Sequence, residues 1–408
     1  MTELFTNLIC RPPRKRYDIE DLGPHSFHLH EGGGKGKACI RHDLVLTNRQ
    51  GHRLECSHYV PAWIGMEDAA EAKQQPRSWQ WQSQDLDSPK HINSNSDPGN
   101  SCESEHCNLP LPTTPCVVYL HGNSGCRLDA DDLVDEYLAR GLSLFSFDFQ
   151  GCGVSGGDWV TLGGLERTDL ECVLDYLSGL ECVSGIALHG RSMGAATALM
   201  VASCDRYYHL IAGMVLDSCY TSVRSVLRDC AQGYVGRVPL LPDMPLLPVG
   251  DMVESTIDAL RAAVLTRAGF DLDKIDVVSS AKHCQAPVLI AHAEDDTLVP
   301  AHHCERLVEE YGGPKTVCIF PEGGHNSPRP DGFNARAAEF LVACFQREKR
   351  MMRLMISSRH RAAKYCRYGA GLVLLLAVVW VVAALLEGLL GFFLARWKCL
   401  SLLPRQKE

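Results

Sequence analysis

Ile186-Ala187-Leu188-His189-Gly190-Arg191-Ser192-Met193-Gly194-Ala195-Ala196 is an apolar run, then a Gly-x-Ser-x-Gly pentad, then small residues that open a helix. Strand, sharp turn and helix in that order make a nucleophile elbow, which holds a serine hydroxyl at the tip of a strained turn over a cleft. Side chains at Gly190 and Gly194 would collide with the strand or helix crossing behind the turn. The pentad alone arises by chance; its weight comes from the chain on either side.

Short apolar runs alternate there with segments of helical spacing. Strands are expected at 116–120, 143–147, 184–189, 211–217, 287–291 and 316–320, and helices near 129–140, 165–180, 195–203, 302–311 and 334–345. Alternation at this length implies a doubly wound, mostly parallel sheet covered on both faces, an α/β class fold. Residues 38–47 and 54–61 alternate around Asn48-Arg49-Gln50-Gly51 and predict a β-hairpin. Residues 219–284 break the rhythm with two Pro-Leu-Leu-Pro runs and one helix near 252–268. An insertion at this place in the order lies over the C-terminal edge of the sheet as a helical cap.

The remaining segments differ in kind. Residues 1–36 hold Pro12-Pro13, a basic cluster and Gly32-Gly33-Gly34, and are expected to be a flexible basic segment. Gly33-Gly34-Lys35-Gly36-Lys37 lacks the spacing of a phosphate-binding loop. Cys10, beside basic residues, is open to reversible acylation, an ordinary free thiol being the plainer reading. Residues 67–115 are polar and too poor in apolar groups to offset the entropy of ordering, so a disordered insertion is expected; Trp79 and Trp81 within it are either a docking point or chance aromatics. Residues 369–395 are almost wholly apolar, with Glu387 the one charge, and are long enough to span a bilayer as a transmembrane helix. The juxtamembrane segment 346–368 carries Arg347, Lys349, Arg350, Arg353, Arg359, Arg361, Lys364 and Arg367, more cations than the tail 396–408. The positive-inside bias then puts the large domain, 37–66 with 116–345, on the cytosolic side of a single-pass, tail-anchored protein.

Composition agrees with that placement. The 19 cysteines are scattered without metal-ligand spacing, and no secretory leader is visible, so reduced thiols are expected. The net charge of -9 gives no reason to expect nucleic acid as a partner.

A serine hydroxyl needs a base within hydrogen-bond reach, a group that orients the base, and donors for a developing oxyanion. Ser192 is the candidate nucleophile. His325, in Pro321-Glu322-Gly323-Gly324-His325-Asn326, follows the last strand on a glycine-flanked loop and is the candidate base. The acid lies after the strand ending near residue 291, where Asp295 and Asp296 both qualify; Asp217 is a further alternative with a turn-capping role more natural to it. The backbone N–H groups of Met193 and of Asn123, in His121-Gly122-Asn123-Ser124-Gly125, are the expected oxyanion donors, with His121 structural. Attack by Ser192 through His325 would give an acyl-enzyme that water then releases. That chemistry requires no metal and no organic cofactor.

The set His121-Gly122-Asn123-Ser124-Gly125, 148–156, Gly190-Arg191-Ser192-Met193-Gly194, Asp296 with Val299-Pro300, and Gly323-Gly324-His325 resembles the serine aminopeptidase / prolyl-oligopeptidase-like branch of the α/β-hydrolase superfamily. That branch includes membrane-associated hydrolases and protein depalmitoylases. The resemblance covers roughly 38–66 and 116–345, implies the α/β-hydrolase fold, and selects Asp296 over Asp295 as the triad acid. One departure is Ala293, where a glycine is usual. The expected function is a membrane-anchored serine hydrolase of acyl esters or thioesters, with an acylated protein or lipid as substrate and the bilayer as partner. A serine peptidase acting on small peptides is the alternative within the family, and a catalytically idle membrane scaffold the alternative of another class.

Overall fold

The computed structural model describes residues 6–7, 9–29, 36–62, 113–235 and 249–351. The chain divides into two units, Met1–Phe345 and Gln346–Glu408. The expected transmembrane helix, most of the insertion with Trp79 and Trp81, the Gly32–Gly34 run and most of the basic run fall outside the described residues. Among the described residues no helix is long and apolar enough to cross a membrane.

The first unit is built on one sheet of nine strands. They are β1 (Ser26–Leu29), β2 (Lys37–Thr47), β3 (Arg53–Pro61), β4 (Thr114–Leu120), β5 (Ser143–Phe147), β6 (Val183–Arg191), β7 (Ile211–Asp217), β8 (Val288–Ala293) and β9 (Lys315–Phe320), in the spatial order β1-β2-β3-β5-β4-β6-β7-β8-β9. β1, β2, β3 and β5 pair antiparallel, and every pairing from β5 to β9 is parallel. Helices cover both faces: α1 (Asp131–Ala139), α2 (Glu166–Ser178), α3 (Met193–Ala202), α4 (Val223–Val235), α5 (Val249–Ala268), α6 (Val277–His283), α7 (His302–Glu310) and α8 (333–345 in this unit).

The strands are continuous apolar runs because both of their faces are buried. Along β4, Cys116, Val118 and Leu120 join one core with α2, α3 and α7, while Val117 and Tyr119 join a second core with α1 and α8. β8 divides the same way, Val288 and Ile290 to the first core and Leu289, Ala291 and Ala293 to the second. The period of two thus builds two cores around one sheet. The strand order reverses at β4, which has β5 on one side and β6 on the other. Loops leaving the carboxyl ends of strands flanking such a reversal open a crevice. The loops after β4 and β6 carry His121–Gly125 and Ser192 there.

Two differences from the sequence reading concern the amino-terminal segment and the cap. Residues 26–29 are a strand, pairing Ser26 with Ile40 through Leu29 with Lys37. Before it, a strap holds to the domain through polar contacts: Tyr17 donates to Asp148 Oδ2 at 2.7 Å, and buried Arg41 donates to the Leu22 and Gly23 carbonyls, each at 2.6 Å. Polar composition suggested flexibility, but these groups find partners far along the chain, so 9–29 is ordered structure. The Cys10 thiol is fully buried and donates to the Thr6 carbonyl. Burial pushes its pKa up, against the pull of Arg267, so it is a poor site for an acyl chain. Between β7 and β8, where one helix was expected, α4, α5 and α6 are present. Arg224 of α4 bonds Glu254 and Asp258 of α5 and Asp273 beyond it, and Arg228 bonds Glu254. Exposed pairs of this kind contribute little each and mainly fix the register of the helices.

Buried neutral histidines give the fold an acid limit. Burial lowers the pKa of His58 to about 3 and that of His189 to about 4. His58 bonds the Ser143 hydroxyl, and His189 Nδ1 the Tyr137 hydroxyl at 2.7 Å. The unfolded chain takes up protons at these rings below about pH 6.5, where the folded one does not. Stability is therefore full above that pH and falls as pH drops toward 4, by about 1.4 kcal/mol per pH unit for each ring. Urea unfolding at pH 7, 6 and 5 checks this, with His189→Gln expected to flatten the slope by one ring's share. A wild-type stability constant between pH 6.5 and 5 would contradict it.

Candidate active site

The elbow is forced by packing. Ser192 has φ 52° and ψ -114°, a left-handed conformation that a residue with a Cβ adopts at a cost of about 1–3 kcal/mol. β6 and α3 cross so tightly that a Cβ on Gly190 would come within 2.5 Å of the Gly194 backbone. A Cβ on Gly194 would overlap the Leu120 carbonyl at the end of β4. The Ser192 N–H donates to the Asp217 carbonyl at 2.8 Å, and its own carbonyl accepts from Ala196 to begin α3.

His325 leaves β9 on a loop turned by Gly323 (φ 130°) and Gly324 (φ 49°). Its Nε2 lies 2.9 Å from Ser192 Oγ and its Nδ1 2.7 Å from Asp296 Oδ2. Asp296 is buried, and its other oxygen accepts from the N–H groups of Leu298 at 2.9 Å and Val299 at 2.8 Å. Burial pushes this carboxyl up, but the His325 hydrogen bond and charge, with the Val299 amide, outweigh it and hold the pKa below the usual carboxylate range. An ionised Asp296 accepts the Nδ1 proton and leaves the Nε2 lone pair facing the hydroxyl. His292 Nε2 donates to the Val299 carbonyl at 2.7 Å and closes the acid loop on itself. The three residues selected for nucleophile, base and acid thus form one hydrogen-bonded line, the arrangement that general-base activation of a hydroxyl requires.

A family profile described as "Alpha/beta hydrolase family" matches residues 117–337, more than half of the chain. The chain belongs to the alpha/beta hydrolase family. Among curated relatives, the chain is 27% identical over 225 residues to "Uncharacterized protein YqkD" of Bacillus subtilis, a match covering 53% of this chain and 66% of that protein. It is 27% identical over 273 residues to "Lysophosphatidylserine lipase ABHD12" of Danio rerio, covering 66% of this chain and 58% of that one. It is 26% identical over 210 residues to "Uncharacterized membrane protein YNL320W" of Saccharomyces cerevisiae, covering 50% and 63%. The chain spans about two thirds or less of the length of these curated relatives. Among solved structures, the Pyrococcus furiosus esterase Pf2001 superposes with a TM-score of 0.50 at 16% identity, over 82% of this chain and 98% of that one, a likeness of fold.

In this chain the histidine loop is clamped from three sides by residues whose part sequence reasoning missed. Asp295, the rival for the acid, instead accepts from the N–H groups of Gly324 at 2.7 Å and Gly323 at 3.3 Å. Arg191, the residue before the serine in the elbow pentad, donates to the carbonyls of His325 and Ser327, both at 2.8 Å. Arg329 donates to Asp217 at 2.8 Å, to the Ser218 hydroxyl at 2.6 Å and to the Gly324 carbonyl at 2.9 Å. Asp217 is therefore the buried partner of Arg329 and makes no contact with His325. Position within the pentad was the one available signal for Arg191; Asp295, Asp217 and Arg329 join only in three dimensions.

The loop after β4 lies beside the serine, since a Cβ on Gly122 would stand 3.7 Å from that of Ser192. His121 shapes it, its Nδ1 donating to the Gly122 carbonyl at 2.7 Å and its Nε2 accepting from Phe149 N–H at 3.1 Å. This is the structural role expected of it. Met193 is the buried first residue of α3, and Asn123 is exposed on the β4 loop. Under the cap, Asp229, His302 and His303 bring three ligand-type atoms within 4.8 Å of one another. Thr221 N–H donates to His303 Nδ1 at 3.1 Å, which leaves the proton on Nε2, 2.8 Å from Asp229 Oδ2. That tautomer presents a donor to the cluster where a metal would need a lone pair.

Proposed function

We propose that this chain is a serine hydrolase that cleaves carboxylic esters or thioesters of lipid-derived acyl groups at a membrane surface. The observation that carries the proposal is the Ser192–His325–Asp296 line, 2.9 Å and 2.7 Å between partners. His325 takes the proton as Ser192 attacks the carbonyl, and the N–H groups of Met193 and Asn123 receive the oxyanion. Asp296 holds the tautomer and stabilises the imidazolium. The leaving alcohol or thiol takes the proton back, and water activated by His325 releases the acid. The names of the lipase relatives support an ester substrate. The apolar stretch 369–395 supports a membrane anchor, which would raise the local concentration of lipid-derived substrate.

The test is labelling of the full chain in neutral detergent by a fluorophosphonate, followed by turnover of an ester, a thioester and an amide that share one acyl group. Labelling with ester or thioester turnover is expected. Faster amide turnover would replace the reading with a peptidase, and a folded chain that neither labels nor turns over would replace it with a non-catalytic membrane protein.

The two neighbouring aspartates are expected to separate by role. Asp296→Asn keeps an acceptor for Val299 but presents an amide to the imidazole and imposes the wrong tautomer, so kcat is expected to fall about 10⁴-fold. Asp295→Ala removes only the tie to the Gly323–Gly324 backbone, and a loosened loop is expected to cost about 10- to 100-fold in kcat/KM. Equal losses in the two variants would contradict this assignment of the acid.

A further inference from the structure

The amino-terminal strap carries Arg11, Arg14, Lys15 and Arg16 in a chain whose net charge is -9. Lys15 is paired, 2.9 Å from Asp129. The three arginines together line one cavity of about 570 Å³ against Gly157 and Asp158 of the loop after β5, and Arg14 and Arg16 also border a second, of about 510 Å³, that carries Asp18 and Asp21. Two of them are held in place without losing charge. Arg14 donates to the carbonyls of Ser155 and Gly157, and Arg11 lies over the Trp159 ring, 5.7 Å from its centre. Carbonyls and a ring face orient a guanidinium but do not neutralise it. Among the described residues no carboxylate pairs with Arg11, Arg14 or Arg16. Several other arginines of the chain do meet carboxylates, although Arg167 and Arg336 bond only cysteine sulfurs. Arg224 gathers three carboxylates, and Arg228, Arg206 and Arg261 each bond at least one.

Like charges gathered around one hollow repel unless a counter-charge enters it. Asp158 is the single carboxylate of the lining, so the wall keeps a formal charge of +2. A phosphate monoester carries about -1.5 to -2 at neutral pH, and its oxygens match the planar forks of arginine. The volume is that of a small-molecule site, larger than a bare ion needs. We infer that the hollow between Arg11, Arg14, Arg16 and the 157–158 loop is a binding site for a phosphate-bearing ligand, with the guanidinium groups holding the phosphate. No residue of its wall belongs to the Ser192–His325–Asp296 line or contacts it, so the site stands apart from the hydrolytic centre. Asn7 of the same wall accepts from Arg267 near the end of cap helix α5 at 2.7 Å, and the Cys10 carbonyl accepts from Val160 at 2.9 Å. A ligand there would therefore bear on the strap that joins the cap to the domain.

The phosphate could belong to a soluble metabolite or to a lipid headgroup, and two probes distinguish them. Full chain carrying Ser192→Ala, which keeps the result independent of any hydrolysis, is titrated calorimetrically in neutral detergent at 0.15 M salt with glycerol 3-phosphate and, separately, with dioctanoyl phosphatidic acid. Dioctanoyl phosphatidylcholine serves as the lipid control. Arg11→Gln/Arg16→Gln removes two cations and leaves Arg14 to hold the loop. Arg206→Gln/Arg306→Gln removes the same charge elsewhere. Saturable binding of at least one phosphate probe is expected, weakened about thirtyfold or more in the strap variant and changed less than about twofold in the distant one. Binding of glycerol 3-phosphate assigns a soluble ligand, and binding of phosphatidic acid alone assigns a headgroup. Absence of binding to both probes, or equal weakening in the two double variants, would overturn the site. If the strap variant fails to fold, Arg16→Gln, at an exposed position, is read in the same way.

Discussion

Exchanging Ser192 for alanine is expected to lower hydrolysis by about 10⁶-fold and to abolish fluorophosphonate labelling, with the fold unchanged. Only the hydroxyl can be lost without structural cost, because its hydrogen bond is to the imidazole of His325 at 2.9 Å. The backbone of residue 192 keeps its N–H bond to Asp217 and its carbonyl bond to Ala196 in the variant. Glycine at the same position separates chemistry from strain. At φ 52° a side chain costs about 1–3 kcal/mol, which glycine recovers in part, less the greater freedom it gives the unfolded chain. Ser192→Gly is therefore expected to be as inactive as Ser192→Ala and more stable by about 1 kcal/mol in urea unfolding. An alanine variant that keeps more than about a thousandth of wild-type turnover would point to another nucleophile, because losing the serine alone costs about 10⁶ in such sites.

Gly194→Ala is expected to destroy the fold rather than the chemistry. The added methyl would overlap the Leu120 carbonyl and stand 2.7 Å from the His121 carbonyl. β4 cannot move aside, since it is hydrogen-bonded to β5 on one edge and to β6 on the other. Relief would have to come from displacing α3, whose ten residues are all buried. A destabilisation of more than about 4 kcal/mol is expected, appearing as loss of the cooperative urea transition. Gly233→Ala provides the contrast. That glycine is exposed on α4 with open space around it, and the same change there is expected to stabilise by up to about 1 kcal/mol. Comparable effects at the two positions would mean that the elbow tolerates a wider crossing than the packing shows.

These two positions show what kind of information was legible. The glycines at 190 and 194, the apolar run before them and the small residues after them are local, and local sequence expresses local sterics directly. The alternation that divides β4 and β8 between two cores was legible for the same reason, because side-chain period follows from backbone geometry. β1 was missed because four half-polar residues, Ser-Phe-His-Leu, carry no pattern of their own and become a strand only by pairing with β2. Helix α6 was missed because it has only seven residues, and α4 because it is tied by charges to residues some thirty to fifty positions away.

The sequence by itself determined the doubly wound order of the chain, the place of the elbow, and the three side chains that meet there, since each depends on residue type within a few neighbours. Tertiary structure alone decided what Asp295 does beside the acid Asp296. Both follow β8 and both are acidic, but Asp296 has one oxygen 2.7 Å from His325, while Asp295 binds the Gly323–Gly324 backbone. It likewise decided that Asp217 serves Arg329 and that residues 9–29, basic at their start, are an ordered strap whose Arg11, Arg14 and Arg16 bond no carboxylate among the described residues. The physical reason is common to these cases: a charged side chain takes its role from whichever partner the fold brings within about 3 Å, and that partner lies far off in sequence.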